Sequence, residues 1–401
     1  MHQLISVDQA LATILEGTAA LAARELPLEE APGRRLFQPV VARESHPYFA
    51  ASAMDGYALG SLDRVTQLVG AVAAGEVADF VLLPGQCCRI FTGAPVPDGT
   101  VAVVPQEETQ FLEGRLTCTA DLEAGQHVRP AGEHFAVGDA LLQPGRLLTP
   151  SDVGLIALLG YPTLKCVPQA RIALVTTGDE LVELDQPLGP AQVRNSNIYA
   201  MQAQTRACGA EAFRLPIVPD RPEALRAALE QAWQQADAIV TCGGASVGER
   251  DYVQSVLREM GADLHLWKVA MRPGKPLGYG LLRGKPVVAL PGNPVSCYVT
   301  FELFVRPMLD KLQGGPGEGL RTLEVKLAEE IHKKKGLRFF MRCRLDHEGA
   351  RLTGSQASHL FRSVAQSDGL LELPEEIQSL PKGAVANLRL WPWVDGARLR
   401  G

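Results

Sequence analysis

The sequence lacks the features that would place it in several common protein classes. No apolar stretch approaches the roughly 18 residues needed to span a bilayer, so no membrane segment is predicted. Residues 1–8 contain no basic segment followed by an apolar core, and a secretory signal is therefore not expected. The net charge of −6 gives no reason to expect nucleic acid as a partner. Together these absences predict a cytoplasmic protein that binds neither membranes nor nucleic acid.

The cysteines show no spacing typical of a metal site or a redox motif. Of the eight, Cys87 and Cys88 are adjacent, the others are scattered, and no C-x-x-C pair occurs. Cysteines of this kind are expected to be reduced and to pack as small apolar side chains.

Chain length and residue pattern predict several domains of α/β and β type. At 401 residues the chain is too long for one ordinary domain. An amphipathic pattern predicts a helix over 7–24 with Ser6 as its N-cap, and short alternating runs predict a mostly β region over 28–148. A short helix is expected over 152–159, before Gly160.

The remaining chain divides at a glycine-rich linker over 314–317. Before it, strands alternate with helices between 169 and 313, which predicts an α/β domain. Its helices are expected to begin near Ser196, Pro222, Tyr252 and Pro294, with Gly209 and Gly261 following the first and third. After the linker, a period of two over 320–401 predicts a β domain.

Three glycine-bearing turns in the α/β segment each directly follow a short apolar run. They contain Gly178, Gly243 and Gly292. An apolar run of this length bounded by glycine is typical of a buried parallel strand. If the three strands lie side by side, their turns meet at one edge of the sheet, where open α/β sheets bind ligands. Backbone N–H groups and helix N-termini at such turns favour anions, so the sequence predicts a site for phosphate or another oxyanion.

The central turn carries further candidate ligands. It continues through Gly244, Ser246 and Gly248, but it matches neither a Walker A loop nor a dinucleotide fingerprint. Ser246 offers a hydroxyl donor, and Asp251 is suited to hold Mg²⁺ or a hydroxyl beside the bound group. A tight turn with only a structural role is the alternative interpretation.

Cations and acids are expected at the same edge. Lys268, Arg272 and Lys275 lie on a segment that Pro273-Gly274 keeps from being helical, which favours an anion partner over a solvated basic loop. Ser296 lies at a predicted helix start. Glu180 and Asp179 follow the first strand, and Asp220 precedes a helix, where a simple N-cap role is the alternative. Phosphate recognition with Mg²⁺ needs carboxylates beside cations.

Two further regions carry weaker signals. Asp55 beside Gly56, and Thr92 on a proline-rich loop, suit either a site or ordinary turns. Towards the C-terminus, Arg338, Arg342 and Arg344 predict a basic strand edge, and residues 355–359 offer hydroxyls. The basic strand edge and the hydroxyl-bearing segment together could bind an oxyanion. Arginines that alternate along a solvent-exposed strand are the ordinary interpretation.

Seven motifs, taken together and in this order, resemble those of the molybdopterin molybdenumtransferases, the family of the bacterial MoeA proteins and the E domain of gephyrin. They are Ser-Ala-Met-Asp-Gly-Tyr-Ala at 52–58, Thr-Gly-Ala-Pro-Val-Pro at 92–97, Thr-Gly-Asp-Glu-Leu at 177–181, Asn-Ser-Asn-Ile-Tyr at 195–199, Gly-Gly-Ala-Ser-Val-Gly at 243–248, Arg-Pro-Gly-Lys-Pro at 272–276 and Leu-Pro-Gly-Asn-Pro-Val-Ser at 290–296.

The resemblance implies the last step of molybdenum cofactor synthesis. Adenylylated molybdopterin and molybdate react with Mg²⁺ present, AMP leaves, and the dithiolene receives molybdenum. A homodimer is implied, with an active site built from the α/β and C-terminal domains of one subunit and the β domain of the other. Transient contacts with the molybdopterin adenylyltransferase and with molybdoenzyme chaperones are further implied partners.

The resemblance also implies a domain division and a set of site residues. The fold is expected to have a central MogA-like α/β domain with a mostly parallel sheet. The division is 1–48 with 130–168 as the N-terminal dimerisation domain, 49–129 as an inserted β-rich domain, 169–313 as the molybdopterin-binding domain, and 320–401 as the C-terminal β domain. Carried over by position, the catalytic residues are Asp55, Thr92, Glu180, Asp220 and Asp251, of which Asp220 and Asp251 are the expected Mg²⁺ ligands. The substrate-binding residues are Gly243, Gly244, Ser246, Gly248, Lys268, Arg272, Lys275, Ser296, Arg342 and Ser358; Lys275, Ser296, Arg342 and Ser358 are the expected molybdate ligands.

Some positions depart from the family pattern. His134 stands where the family usually has Asp, Arg272 where some members have Lys, and Ala357 where Gly is common. Two other functions remain as alternatives: a binding or scaffold protein that keeps the fold without turnover, and the preceding enzyme, which adenylylates molybdopterin with a single domain related to 169–313. Retention of the acidic residues and of Lys275 argues against the first, and the flanking domains argue against the second.

Overall fold

The computed structural model describes residues 4–243 and 252–394. The chain divides into two units, one comprising Gln38–Thr163 and the other comprising Met1–Phe37 together with Leu164–Gly401. In the part of the chain that the structure describes, no helix is long and apolar enough to cross a bilayer. The four-domain division expected from the sequence stays a prediction.

A six-stranded mixed sheet forms the centre of the larger unit. Its strands are β1 (Arg171–Thr176), β2 (Glu211–Arg214), β3 (Ala238–Cys242), β4 (Asp263–Lys268), β5 (Pro276–Leu282) and β6 (Lys285–Leu290). The order is β2-β1-β3-β6-β5-β4; the first four are parallel, β5 is antiparallel to β6, and β4 is antiparallel to β5. The three apolar runs recognised in the sequence are β1, β3 and β6, and they are neighbours, as predicted.

Both faces of this sheet are covered, which explains why its parallel strands are continuous apolar runs. Alternate residues of β1 enter different cores because successive side chains of a strand point to opposite faces. Leu174 packs in one core with Ile198 and Phe304, and Val175 packs in the other with Leu225.

The helices of this unit begin where the sequence places them. They are Ser196–Ala207, Pro222–Gln235, Val253–Glu259 and Pro294–Thr300, and the last continues as a π-helical turn, Phe301–Val305, and a helix, Arg306–Leu312. Gly209 and Gly261 follow the first and third helices with φ of 72° and 83°, a left-handed conformation that glycine adopts without steric cost.

The N-terminal helix is shorter than the predicted 7–24. It spans Val7–Glu16, with Ser6 as the N-cap in a complete capping box, as expected. Gly17 is the C-cap, and soon afterwards the N–H of Leu21 donates to the carbonyl of Leu312 at 2.8 Å. The prediction was wrong at this end because a partner almost 300 residues away in sequence holds the chain after the helix, and local periodicity does not encode that contact.

The C-terminal part of this unit is a β sheet, as predicted. Its strands run in the order Met271–Arg272, Arg338–Asp346, Gly369–Leu373, Val385–Leu390 and Thr322–Lys326, with Gly349–Leu352 paired to the long second strand. The short first strand belongs to the cationic segment, so this segment is hydrogen-bonded into the C-terminal sheet. Smaller pairs are Ile331–His332 with Ser379–Leu380 and Leu181–Val182 with Val193–Arg194; Arg24–Pro27, Thr163–Val167 and Arg35–Leu36 form a three-stranded sheet, and Arg362–Ala365 is a short helix.

The unit Gln38–Thr163 is mostly β, as its turn-rich pattern predicts. Its main sheet has the order Ala102–Pro105, Gly56–Leu59, Gln86–Ile90, Val65–Val72, Arg115–Cys118 and Thr109–Leu112. Two small ladders pair Ala51–Ser52 with Val128–Arg129 and Val40–Val41 with Ala140–Leu142, and one helix spans Pro150–Leu158. The architecture is therefore multidomain α/β plus β, as expected.

Candidate functional site

A cleft of about 740 Å³ lies at the carboxyl ends of β1, β3 and β6, where the three glycine turns were predicted to meet. Its wall includes residues 176–178, Glu180, 193–197, Asp220, Cys242, Gly243, Pro276, 291–294, Ser296 and His359. Four of the predicted site residues therefore share one cleft: Glu180, Asp220, Gly243 and Ser296.

Backbone hydrogen bonds join the three turns to one another. The N–H of Thr177 donates to the carbonyl of Cys242 at 3.2 Å, and the N–H of Gly243 donates to the carbonyl of Leu290 at 3.3 Å. The side-chain amide of Asn197 adds a third link, because its Nδ2 donates to the carbonyl of Gly292 at 2.7 Å. The three turns are thus held together by two backbone hydrogen bonds and one side-chain hydrogen bond.

The first turn presents the predicted acids. Thr177 Oγ1 donates to Asp220 Oδ1 at 2.6 Å, and the N–H of Asp220 donates to Asp179 Oδ1 at 3.2 Å. The N-cap of the following helix is Arg221 without any side-chain cap, so the alternative of a simple N-cap role for Asp220 is wrong. Glu180 folds back over Gly178, where a Cβ would lie 2.7 Å from its Oε2.

The second turn requires glycine at its first position. Gly243 has φ of 92°, and a Cβ there would lie 2.5 Å from the carbonyl oxygen of Thr177. The remaining predicted residues of this turn, Gly244, Ser246, Gly248 and Asp251, lie outside the described residues.

The third turn begins the helix Pro294–Thr300, whose N-cap Asn293 makes no side-chain cap. Ser296 is 5% exposed and lines the cleft. The N–H of Val295 donates to the carbonyl of Ser358 at 3.1 Å, so this helix start is bonded to the loop that carries Ser358 and His359. Two of the predicted hydroxyl residues are thereby brought to neighbouring elements.

The cationic segment contains three positive side chains that pair with no acid in the described part of the chain. For Lys268, Arg272 and Lys275, no carboxylate of residues 4–243 or 252–394 lies within salt-bridge distance. Arg272 lies above the Phe339 ring, 5.8 Å from its centroid. Lys275 precedes the cleft residue Pro276, and its carbonyl accepts from the N–H of Val269 at 2.9 Å. The arrangement matches an anion-binding loop better than a set of surface ion pairs.

Arg342 is the most unusual cation, because it is only 1% exposed. Its Nε donates to Ser363 Oγ at 3.1 Å, and its Nη2 donates to the carbonyl of Ala357 at 3.2 Å. Burial, and then the nearby charge of Arg272, lower the pKa of Arg342 to about 10. Within the described ranges no carboxylate pairs with it. A buried cation without a counter-charge is costly, and a bound oxyanion would relieve that cost.

The predicted basic strand edge is only partly present. Arg338 binds three carboxylates, those of Asp8, Glu372 and Glu375, so its charge is neutralised. Arg344 is exposed and Arg342 is buried. The sequence could not reveal the neutralisation because Asp8 lies at the other end of the chain.

In the unit Gln38–Thr163, Asp55 and Thr92 form a direct pair. Asp55 Oδ1 accepts from both the backbone N–H and the hydroxyl of Thr92, each at 2.7 Å. The backbone bond first, and the hydroxyl bond second, lower the pKa of Asp55 below its usual value. Asp55 is therefore an exposed, ionised carboxylate held in one orientation.

His134 is exposed and belongs to an aromatic group rather than to an acidic one. Its ring centroid lies 4.9 Å from that of Phe135 and 5.8 Å from that of His46. The backbone N–H of His134 donates to the backbone carbonyl of His46 at 2.9 Å. An Asp at this position would lose these ring contacts.

The cleft is also lined by residues for which the sequence predicts no specific role. Asn195, Asn197 and Cys242 are the clearest, and Ser363 is the partner of Arg342 outside the cleft lining. For the two asparagines, the Asn-Ser-Asn motif at a predicted helix start was the available signal. For Ser363 there was none, because its contact with Arg342 depends on how the C-terminal sheet folds.

Three family models match consecutive parts of the chain. Residues 5–160 match the MoeA N-terminal region (domain I and II), residues 173–311 match a probable molybdopterin binding domain, and residues 324–391 match the MoeA C-terminal region (domain IV).

Similar proteins cover nearly the whole chain. A molybdopterin molybdenumtransferase 2 from Mycobacterium tuberculosis is 34% identical over 96% of this chain and 99% of the relative. A molybdopterin molybdenumtransferase from Nostoc sp. is 36% identical over 89% of this chain and 81% of the relative. Among solved structures, the molybdopterin biosynthesis MoeA protein from Pyrococcus horikosii superposes with a TM-score of 0.84 at 27% identity, covering 97% of this chain and 99% of that one.

Proposed function

Because the chain belongs to the MoeA family of molybdopterin molybdenumtransferases, we propose that it inserts molybdenum into adenylylated molybdopterin. The family consists of transferases of molybdenum cofactor biosynthesis. In the proposed reaction the phosphoanhydride of adenylylated molybdopterin is cleaved, AMP leaves, and the dithiolene receives molybdenum from molybdate.

The observation that carries this proposal is the buried Arg342, which has no acidic partner among the described residues and lies near another cation, Arg272. Molybdate is a dianion, and guanidinium, ammonium and hydroxyl donors suit its oxygens. Lys275, Ser296 and Ser358 complete the proposed molybdate site, because the loop of Ser358 is hydrogen-bonded to the helix that carries Ser296.

Asp220, which is hydrogen-bonded to the first turn, and Asp251 are proposed to act at the phosphoanhydride. Mg²⁺ is typically held by one or two carboxylates together with substrate phosphates rather than by a cage of protein ligands. Asp220 fits such a role, since one of its oxygens accepts from Thr177 and the other has no donor within the described ranges. Among those residues, no cluster of three or more metal-ligating side chains exists. Asp251 would be the second ligand, and bound Mg²⁺ would offset the negative charge of the phosphates.

Within the proposed site, Glu180, Gly243 and the cations have binding and orienting roles. Lys268 and Arg272 would attract the anionic substrate. Gly243, with Gly244, Ser246 and Gly248, would bring backbone and hydroxyl donors to the phosphates. Glu180, whose carboxylate lies beside Gly178, would accept a hydrogen bond from a hydroxyl or amino group of the substrate.

The Asp55–Thr92 pair is proposed to enter the same site from a second subunit of a homodimer. Both residues are exposed and Asp55 is ionised, so the pair is accessible to a ligand. We also propose a cytoplasmic location and transient handover from the molybdopterin adenylyltransferase to molybdoenzyme chaperones.

The test follows AMP release from adenylylated molybdopterin with Mg²⁺, with and without molybdate. Wild type is expected to release AMP only with molybdate and to yield active cofactor. Asp220→Asn keeps the acceptor for Thr177 but removes the charge, and is expected to lose about 10²–10³-fold in rate. Asp263→Asn, at an exposed carboxylate outside the cleft lining, is the matched control. Tight substrate binding by wild type without AMP release would instead support a binding protein.

A further inference from the structure

Asn195 occupies an N-cap position without capping its helix. It precedes the 12-residue helix Ser196–Ala207, yet its side chain bonds none of the first-turn N–H groups. Asparagine is among the best N-cap residues, so an uncapped helix start is unexpected here. The side chain instead reaches β1, where Asn195 Nδ2 donates to Thr176 Oγ1 at 2.9 Å.

The second polar atom of this side chain has no partner among residues 4–243 and 252–394. Asn195 is 2% exposed, and its Oδ1 is a buried acceptor that receives no hydrogen bond from any of those residues. A buried acceptor left without a hydrogen bond costs more free energy than an ordinary hydrogen bond contributes on balance. Asn195 also lines the cleft. An acceptor kept unpaired in a cleft wall is best explained by a donor that arrives with the ligand.

The neighbouring Asn197 provides a contrast within the same motif. Its Nδ2 donates both to the carbonyl of Gly292 and to Cys242 Sγ, at 2.7 Å and 3.1 Å. Asn197 therefore links the second and third turns and has a structural explanation. No such structural explanation accounts for both polar atoms of Asn195 within the described residues.

The two features of this helix start define the chemistry of the ligand. Asn195 Oδ1 can accept a hydrogen bond from a ligand, and the N–H groups of the first helical turn, which no side chain caps, can donate to one. A ligand edge that carries an N–H donor beside a carbonyl acceptor satisfies both at once. A phosphate group has no N–H. Adenine does place a donor, N6–H, beside an acceptor, but that acceptor is a ring nitrogen with one lone pair, whereas a lactam carbonyl has two lone pairs for the several N–H groups of a helix start. The lactam edge of a pyrimidinone ring has both the N–H donor and the carbonyl acceptor.

We propose that Asn195 and the start of the helix Ser196–Ala207 form a subsite for the lactam edge of a pterin ring. This inference rests on the proposed function for the identity of the substrate, and it adds Asn195 as a specificity-determining residue. A site built to pair a polar group rejects analogues that lack it, because its own buried atoms are then left unpaired.

The experiment is an equilibrium fluorescence titration with two probes, 6-hydroxymethylpterin and its N3-methyl derivative, which lacks the lactam N–H. Wild type is expected to bind the parent pterin about tenfold more tightly than the methylated one. Asn195→Leu should bind the parent about tenfold more weakly and lose the preference between the two. Asn195→Asp keeps an acceptor and should retain the preference.

Two further measurements separate recognition from folding. Thermal unfolding of Asn195→Leu should show little loss of Tm, since the change removes the unpaired acceptor together with the Nδ2 hydrogen bond to Thr176 Oγ1 and the two effects oppose each other. Asn197→Ala should lower Tm without altering the preference. AMP binding should be the same in wild type and Asn195→Leu.

Several results would overturn the proposal: no saturable binding of the parent pterin by wild type, an unchanged preference in Asn195→Leu, or a loss of AMP binding in place of pterin binding. Because these titrations need neither molybdate nor turnover, they can fail while molybdate-dependent AMP release is still observed, and the reverse.

Discussion

The carboxylate of Asp55 owes its charge state to one neighbour, Thr92. Two hydrogen bonds to the same oxygen favour the ionised form and lower the pKa of Asp55, with the backbone bond as the larger cause and the hydroxyl bond as the smaller. A carboxyl whose pKa is lowered on folding stabilises the fold above its unfolded pKa. That contribution is lost as the pH falls through the lower, folded pKa.

Thr92→Val removes the hydroxyl donor and leaves the backbone bond. We expect the pKa of Asp55 to rise part of the way towards its ordinary value, because the larger cause remains. A carboxyl NMR titration of the folded protein measures this. Thr100→Val is the control, since the Thr100 hydroxyl donates to the carbonyl of Pro97 and does not contact Asp55. An unchanged pKa in Thr92→Val would mean that the hydroxyl bond does not form in solution.

Arg342 makes a different prediction, about protons taken up with the ligand. Its pKa lies at about 10, lowered by burial and by Arg272. A bound dianion favours the charged form and raises this pKa again. Near pH 10, therefore, molybdate binding should be accompanied by net proton uptake, while near pH 7 it should not, because Arg342 is already protonated there.

Calorimetric titration in buffers of different ionisation enthalpy measures that uptake. Arg342→Gln should bind molybdate more weakly at both pH values and take up fewer protons at the higher one. Arg344→Gln, on the same strand but exposed, should behave as wild type. Equal uptake in wild type and Arg342→Gln would assign the protons to another group and remove Arg342 from the molybdate site.

At the scale of a single turn, Gly243 is expected to be more sensitive to substitution than a left-handed glycine with open space around it, such as Gly261. Gly243→Ala combines an unfavourable φ with a Cβ placed 2.5 Å from the Thr177 carbonyl. We expect a loss of about 3 kcal/mol in the free energy of unfolding, measured by urea denaturation. Gly261→Ala has a similar φ but meets no atom within 4 Å, and should lose only about 1 kcal/mol. Equal losses would show that the turn moves to accept the methyl group.

Elements bounded by local signals were predictable. The Ser6 N-cap, the glycines after two helices and the apolar runs of β1, β3 and β6 act over a few residues, and the structure confirms them. The end of the first helix was not predictable, because the chain after it is held by the hydrogen bond from Leu21 to the distant Leu312. The antiparallel β4 and β5 at one edge of the sheet were equally hidden, since strand order depends on contacts that a local pattern does not contain.

The candidate site was predictable as a place but not as a geometry. Parallel strands must bring their turns to one edge, so the cleft position followed from the sequence. The partner of each side chain did not follow: Asp220 is bonded to Thr177 rather than capping its helix, and Arg338 is neutralised by Asp8. Thr177 lies 43 residues from Asp220, and the carboxylates that neutralise Arg338 lie 34, 37 and 330 residues away, all beyond the reach of a local pattern.

For the whole molecule, the proposed homodimer predicts complementation between inactive variants. Asp55→Ala and Lys275→Ala are expected to inactivate opposite halves of each shared site. Co-expressed in equal amounts, they should recover roughly a quarter of wild-type AMP release, because half of the dimers are mixed and each mixed dimer has one intact site. Each variant alone should be inactive. No recovery in verified mixed dimers would place both residues in a site built by one subunit.

The two-residue strand Met271–Arg272 has a consequence for how ligand binding is felt beyond the cleft. It pairs with Arg338–Phe339 of the C-terminal sheet, and the N–H of Arg338 donates to the carbonyl of Ala270 at 3.0 Å. The segment that carries the cations is thus an edge strand of a sheet other than the one that forms the cleft floor. An anion held by Arg272 or Lys275 must therefore also suppress local opening of that edge. Amide hydrogens of the C-terminal sheet would then exchange with solvent more slowly in the bound protein, and this second sheet would report occupancy of a cleft it does not line.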